Sequence, residues 1–357
     1  MSGHDESVLV RTEGRAGYLT LNRPRALNAL THSMVLRITD ALTAWAEDPA
    51  VETVVLAGAG ERGLCAGGDI RAIHEDARAG GTASVGFWRD EYRLNALIAR
   101  YPKPYVALMD GIVMGGGVGV SAHGSVRIVT ERSRVAMPET GIGFVPDVGG
   151  TYLLALAPGE SGTHLALTGV PVGAADALLC GLADHFVPAA ALPALSRELA
   201  RHPVREVLAR HVAEPPDGVL AGAREWIDAC YAADDVEEVL ARLAASGAPA
   251  ARAAADALRG KSPTALKVTL ASLRRARRLG PLERVLEQEF RVSCAALSSP
   301  DLVEGIRAQV IDKDRAPRWS PAAPADVTRA DVERFFAPAG VVGLRLPAPA
   351  ADREVVW

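Results

Sequence analysis

The sequence predicts an α/β fold, and three observations carry that prediction. Short β-rich or apolar runs alternate with amphipathic helical patterns through residues 1–195. Two of those runs, VETVVLAG and PYVALMDG, are apolar without alternation, as expected of strands buried on both faces. Beyond residue 195 the chain turns alanine- and leucine-rich and reads as helix throughout. The expected organisation is therefore a mixed core over 1–195, a helical C-terminal region over 196–335, and a tail over 336–357.

SVLVRT and GYLTLN, separated by the turn-like EGRA, read as a β-hairpin. After Pro24, Asn28 and Thr31, a helix runs through Trp45, with Met34, Ile38, Leu42 and Ala46 on one face at i, i+4 spacing. VETVVLAG follows as a buried strand closed by Gly58, and FWRDEYRLNALIAR reads as helix. PYVALMDG is the next buried strand, VRIVTERSRVAM reads as a further one, and MPETGIGFVPDVGG as a Pro/Gly-rich loop. LPALSRELARH, EVLARHV, VEEVLARLAASG and ALKVTLASLRRARRL supply the later helices, with AEPPDG as punctuation. SPAAPADV precedes a last short helix. The basic cluster LRRARR at 273–278 reads as a solvated helix face.

Composition narrows the function classes. The chain has 357 residues, enough for a full-sized core, and 49% of them are hydrophobic. A net charge of −4 leaves no basic footprint for nucleic acid. Cys65, Cys180, Cys230 and Cys294 form no C-x-x-C pair, which points to reduced thiols and to no metal site. MSGHDESVLV carries no signal-peptide pattern, and no run reaches the ~18 apolar residues of a membrane span. The expectation is a soluble cytoplasmic protein without a membrane partner.

The glycine-rich stretches carry the chemistry. GAGERG at 58–63 fits G-x-G-x-x-G and GVGVSA at 117–122 fits its alanine variant, but the context of a dinucleotide site fails for both. LCAGGDI separates the first from any helix, and the second lacks a well-placed acidic residue. CAGGD (65–69) and MGGGVG (114–119) make better sense as a pair, each following a strand and entering a helix. Glycine permits close approach, and a helix start leaves amides free. Two such loops side by side could aim two N–H groups at one oxygen, forming an oxyanion hole; the bland alternative is close packing.

LNRPRALNAL, GLCAGGDI, YPKPYVALMDGIVMGGGVG and MPETGIGFVPDVGGTYLL, in that order and spacing, resemble the crotonase (enoyl-CoA hydratase/isomerase) superfamily. The resemblance implies a crotonase-like spiral of β-β-α units, an acyl-CoA thioester substrate and an oxyanion intermediate. It assigns the oxyanion amides to Gly68 and Gly116, and CoA binding to Arg25, Ala26, Ala66, Asp69 and Ile70. No cofactor is implied, because coenzyme A arrives as part of the substrate. Homo-oligomers are common in that family.

Hydratases of the family resemble one another in carrying a Glu two residues after the triple glycine and a second in a Q-P-E element. Here the first position is Gly119, and the second is Glu139 of MPET. Half of a hydratase's water-holding pair is missing. Asp147 in FVPDVGG, Glu91 in FWRDEYRLN, KSPTALKVTL and EGIRAQVIDKDRAPRWSP extend the resemblance to members that hydrolyse a short β-hydroxyacyl-CoA, with 3-hydroxyisobutyryl-CoA of valine breakdown as the type substrate. That implies Glu139 and Asp147 as catalytic residues, and Glu91, Gly116, Glu139 and Asp147 as substrate contacts. Glu139 would act as general base or attack the carbonyl itself, Asp147 would orient water or the substrate hydroxyl, and Glu91 would help bind that hydroxyl or position its neighbours.

Each group also has an ordinary reading. Arg89, Asp90 and Arg93 offer Glu91 helix-surface ion pairs. His123 reads as a packed, hydrogen-bonded histidine and Cys65 as a packing residue. No G-x-S-x-G nucleophile elbow is present. Besides the hydrolase, two alternatives stand: an enoyl-CoA hydratase or isomerase using Glu139 alone, and a non-catalytic CoA-binding subunit.

Overall fold

The computed structural model describes residues 6–338, 340 and 342–347. Its first half alternates strand and helix: β1 (Val8–Glu13), β2 (Ala16–Leu21), α1 (His32–Glu47), β3 (Thr53–Gly58), α2 (Ile70–Ala79), α3 (Ala83–Ala99), β4 (Tyr105–Met109), β5 (Ile112–Met114), α4 (Gly116–Ser121), β6 (Val126–Val129) and β7 (Arg134–Ala136). Short elements follow, α5 (Gly150–Leu156), α6 (Ser161–Thr168), α7 (Ala174–Leu179) and β8 (His185–Phe186). From there the described chain is helical: α8 (Leu192–Leu199), α9 (Val204–His211), α10 (Leu220–Tyr231), α11 (Val236–Ala245), α12 (Pro249–Arg259), α13 (Pro263–Leu279), α14 (Leu282–Ala296), α15 (Pro300–Ile306) and α16 (Arg329–Arg334).

The main sheet runs β1-β2-β3-β4-β6-β8, antiparallel only within the hairpin and parallel beyond it. Val54, Val55, Leu56, Val106, Ala107 and Ile128 are buried at its centre, which is why those strands read as unbroken apolar runs. β5 and β7 form a separate two-stranded parallel sheet. Thr31 caps α1 by accepting the Met34 N–H, and the helix buries Met34, Val35, Ile38, Leu42 and Trp45. Each of those side chains contributes about 1.5–3 kcal/mol relative to exposure.

One hydrophobic cluster includes residues from Val8 to Leu344, so the sheet and the later helices share a core across residue 195. The tail from 348 onward lies outside the described residues.

Two sequence expectations need correction. VRIVTERSRVAM is two strands, β6 and β7, in different sheets. Side chains turn the chain between them: Ser133 Oγ accepts the Thr130 N–H and donates to the Met109 carbonyl, while Thr130 Oγ donates to Asp110. Secondly, LRRARR is not simply a solvated face. Leu273 and Ala276 are buried, and Arg274 binds Glu160, Asp234 and the carbonyls of Tyr231 and Ala233. Arg275 binds Glu333 and lies over the Phe336 ring, and Arg277 binds Glu160. These guanidinium groups tether α13 to its neighbours.

Candidate active site

The two glycine loops meet through main-chain bonds. The Cys65 N–H donates to the Ile112 carbonyl, and the Met114 N–H donates to that of Cys65. On the other flank the Leu30 N–H donates to the Gly67 carbonyl, and the Asp69 N–H to that of Leu30. In such a parallel bridge the residue between, Gly68, turns its own N–H away. Gly115 takes φ 49°, a left-handed value, and opens α4. As the first helical residue, Gly116 has no intrahelical acceptor for its N–H. Among the described residues neither amide finds a protein acceptor. A β-carbon placed on Gly116 would lie 3.3 Å from Gly68 N, so the two free amides are neighbours.

β7 delivers the first carboxylate. The Gly115 N–H donates to the Ala136 carbonyl, and three residues on, Glu139 starts a 3₁₀ turn, Glu139–Ile142. Glu139 is buried; its Oε1 lies 2.8 Å from where a Gly115 β-carbon would sit, and its Oε2 has no partner. Glu91 comes from α3 and is only 2% exposed, its Oε1 unpartnered and 2.7 Å from the corresponding point on Gly116. The ion-pair reading of Glu91 is therefore wrong. Asp90 pairs with His32 and Arg93, while Arg89 and Arg93 reach the carbonyls of Val342 and Leu344. Asp147 is buried too, and Tyr92 donates to its Oδ2 at 2.6 Å.

These groups line one cavity of about 300 Å³, with Trp88 and Phe144 stacked in its wall at 5.4 Å. Ala66 and Ile70 line it as well. Asp69 lies just outside, bound to Arg23, and Arg25 and Ala26 are exposed on the 3₁₀ turn Pro24–Ala26. A larger groove of about 720 Å³, lined by Arg275, Arg278, Arg284 and Arg291, lies by α13 and α14 and shares no lining residue with the glycine loops. Lys261, absent from the sequence-based candidates, is the cation in the site's lining.

Burial dominates the electrostatics. It pushes Glu139 and Glu91 well above the usual carboxylate range, with the Asp147 charge adding to both. Asp147 rises to about 7 through burial, against the Tyr92 hydrogen bond. Lys261 is lowered by burial and held up by Glu139. Burial pushes the Cys65 thiol to about 12, which suits packing rather than nucleophilic attack. His123 is half-buried and lowered to about 4, chiefly by desolvation, so it is neutral and donates Nε2–H to the Val148 carbonyl at 2.7 Å.

Raised carboxyl groups have a stability consequence. The folded chain holds their protons more tightly than the unfolded chain, so stability falls as pH rises from ~4 through the raised values. Glu91→Gln removes one such group. Its thermal midpoint should exceed that of the parent by ~2 °C or more at pH 8 and by less at pH 5. Differential scanning fluorimetry at both pH values checks this; an equal shift at both would contradict it.

Two free amides beside three buried carboxylates in one cavity make the arrangement expected of an active site. A sequence profile described as enoyl-CoA hydratase/isomerase matches residues 16–336, and the chain belongs to that family. The chain is 41% identical to the mitochondrial 3-hydroxyisobutyryl-CoA hydrolase of Gallus gallus, over 95% of this chain and 91% of that protein. A crystal structure named as a carnitinyl-CoA dehydratase from Mycobacterium thermoresistibile is 57% identical, with TM-score 0.91 over 94% of this chain and 97% of that one. Another, named as an enoyl-CoA hydratase from Rhodobacter sphaeroides 2.4.1, is 45% identical, with TM-score 0.89 over 95% and 100%. The crotonase-type fold expected from sequence is thus the fold observed.

Proposed function

We propose that the chain hydrolyses a short β-hydroxyacyl-CoA thioester, with 3-hydroxyisobutyryl-CoA as the leading substrate and valine breakdown as its setting. The observation that carries this reading is the pairing of Glu139 with Asp147 at two free amides, where hydratases of the family use a different pair. A hydratase's other carboxylate would stem from position 119. There a β-carbon would lie 2.7 Å from Val148 Cβ and 2.9 Å from Asn95 Nδ2. The names of the two crystal structures favour hydration or dehydration as the second reading; the filled space at Gly119 weighs against it.

In this mechanism the thioester oxygen rests on the Gly68 and Gly116 amides. Glu139 takes a proton from water as its oxygen bonds to the carbonyl carbon, and the tetrahedral oxyanion forms on the two N–H groups. Collapse breaks the carbon–sulfur bond, and the proton held by Glu139 passes to the departing CoA sulfur. Asp147, held by Tyr92, orients the water, and Glu91 receives the β-hydroxyl. Direct attack by Glu139 gives an acyl anhydride and the same products after hydrolysis. Single turnover in labelled water separates the routes, because label retained in Glu139 identifies the anhydride.

Ala66 and Ile70 at the cavity, with Asp69 and the exposed Arg25 and Ala26 outside its lining, receive the CoA moiety, and the reaction takes no further cofactor. The four free cysteines suit a reducing compartment, here read as cytoplasmic, although the Gallus relative is mitochondrial by name. Among the described residues no helix is long and apolar enough to cross a membrane.

The expected result is release of free thiol from 3-hydroxyisobutyryl-CoA, followed with a thiol reagent, and no loss of enoyl absorbance with crotonyl-CoA. The reverse outcome overturns the hydrolase reading. Binding of both thioesters without turnover of either would leave a CoA-binding subunit. The analogue lacking one methyl, 3-hydroxypropionyl-CoA, should also turn over, since one methyl is worth only ~1–3 kcal/mol.

A further inference from the structure

Glu289 is a buried acid that the mechanism above does not use. It lies on α14, far along the chain from the glycine loops, and is 1% exposed. Its Oε2 accepts the Gly149 N–H at 2.6 Å, and its Oε1 accepts the Thr151 N–H at 2.9 Å and the Thr151 hydroxyl. A buried carboxylate with three donors is a fixed anchor.

What it anchors is the corner directly after Asp147. Val148 has φ 53° and Gly149 φ 78°, two consecutive left-handed residues, and for a β-branched valine that is a strained conformation. Such a corner persists only if its surroundings hold it. His123 holds the Val148 carbonyl, and Glu289 holds the two amides that follow.

The Asp147 side chain is held from the same helix. Tyr92 donates its hydroxyl proton to Asp147 Oδ2, so the Ser293 hydroxyl must donate to Tyr92, at 2.7 Å. Ser293 is four residues after Glu289, on the same face of α14. One helix thus fixes the main chain of the Asp147 corner through Glu289 and its carboxylate through Ser293 and Tyr92.

Building on the hydrolase reading above, we propose that Glu289 is a positioning residue, locking the Val148–Gly149 corner so that Asp147 faces the cavity beside Glu139. It touches no substrate and acts only through Asp147. The isosteric variant Glu289→Gln tests this, because its single amide oxygen cannot accept from Gly149 and Thr151 together, and its NH2 group must face one of the two N–H donors.

Thiol release from 3-hydroxyisobutyryl-CoA is measured for the parent, Glu289→Gln, Asp147→Asn and the double variant. High enzyme concentration and hours of reaction make the slow variants measurable. The expected result is a fall in kcat of ~10-fold or more for Glu289→Gln with KM within ~3-fold, because the CoA contacts lie on other loops. In the Asp147→Asn background the same change should cost no further rate, which a general loss of stability would not reproduce. Parent-like kcat in Glu289→Gln, or an equal loss in both backgrounds, overturns the inference. No thiol release by the parent protein is a different failure, that of the hydrolase reading.

Discussion

Glu139→Gln should lower kcat by ~10²–10⁴-fold while leaving KM within about threefold. The side chain keeps its volume, so the cavity wall and the neighbouring Gly115 contact are preserved. What is lost is the ability to take a proton from water or to attack carbon. Two features make the effect large. Among the described residues Glu139 Oε2 has no hydrogen-bond partner, so it is free to accept a proton from water. Burial, with the Asp147 charge, also raises its pKa well above the usual carboxylate range, which makes it a stronger base than an exposed carboxylate. In the parent protein, activity should therefore rise with pH along an acid limb lying above the ordinary carboxylate range. That limb belongs to Glu139, Asp147 and Glu91 together, because the Asp147 charge raises the other two. Steady-state kinetics on the variant check the prediction. A kcat within tenfold of the parent would remove Glu139 from the chemistry.

The second large effect is expected at Gly116→Ala, with a loss of ~10²–10³-fold in kcat. The added methyl would lie 2.7 Å from Glu91 Oε1 and 3.3 Å from Gly68 N. It therefore intrudes between the two free amides and into the acid that faces them. Leu30 Cδ1, at 3.2 Å, leaves little space on the remaining side. Ala66 and Ile70 are untouched, so CoA alone should still bind, which isothermal titration with CoA checks alongside the kinetics. Parent-like turnover would show that the thioester oxygen does not lie on these amides.

Much of this site is legible in the sequence because its parts are local. The amides come from two glycine runs, and Glu139 and Asp147 bracket one Pro/Gly loop. The rest depends on packing between distant segments. Glu91 has charged neighbours on three sides of its helix, and only the docking of α3 against α1, α4 and α14 decides which face is buried. Tyr92 and Glu289 belong to helices whose patterns look ordinary, and Lys261 to the short bend between α12 and α13; contacts across up to 201 residues, such as Tyr92 with Ser293, tie such segments to the site. The break inside VRIVTERSRVAM was hidden for a related reason. Asp110, from another segment, accepts from Thr130 and Arg132 and so fixes the turn. That turn matters to the chemistry, since it sends β7 to β5 and brings Glu139 beside Gly115.

The filled space around Gly119 bears on how this chemistry could be acquired or lost. Val148 occupies the ground that a carboxylate-bearing side chain at 119 would need, and Val148 is part of the corner that presents Asp147. A side chain at 119 therefore requires Val148 and Asn95 to shift. A single substitution at 119 would push on the corner that carries Asp147, so gaining a carboxylate there disturbs the one already in place. The effect of a change at Gly119 thus depends on the residue at 148, an epistatic coupling written into the packing of the site.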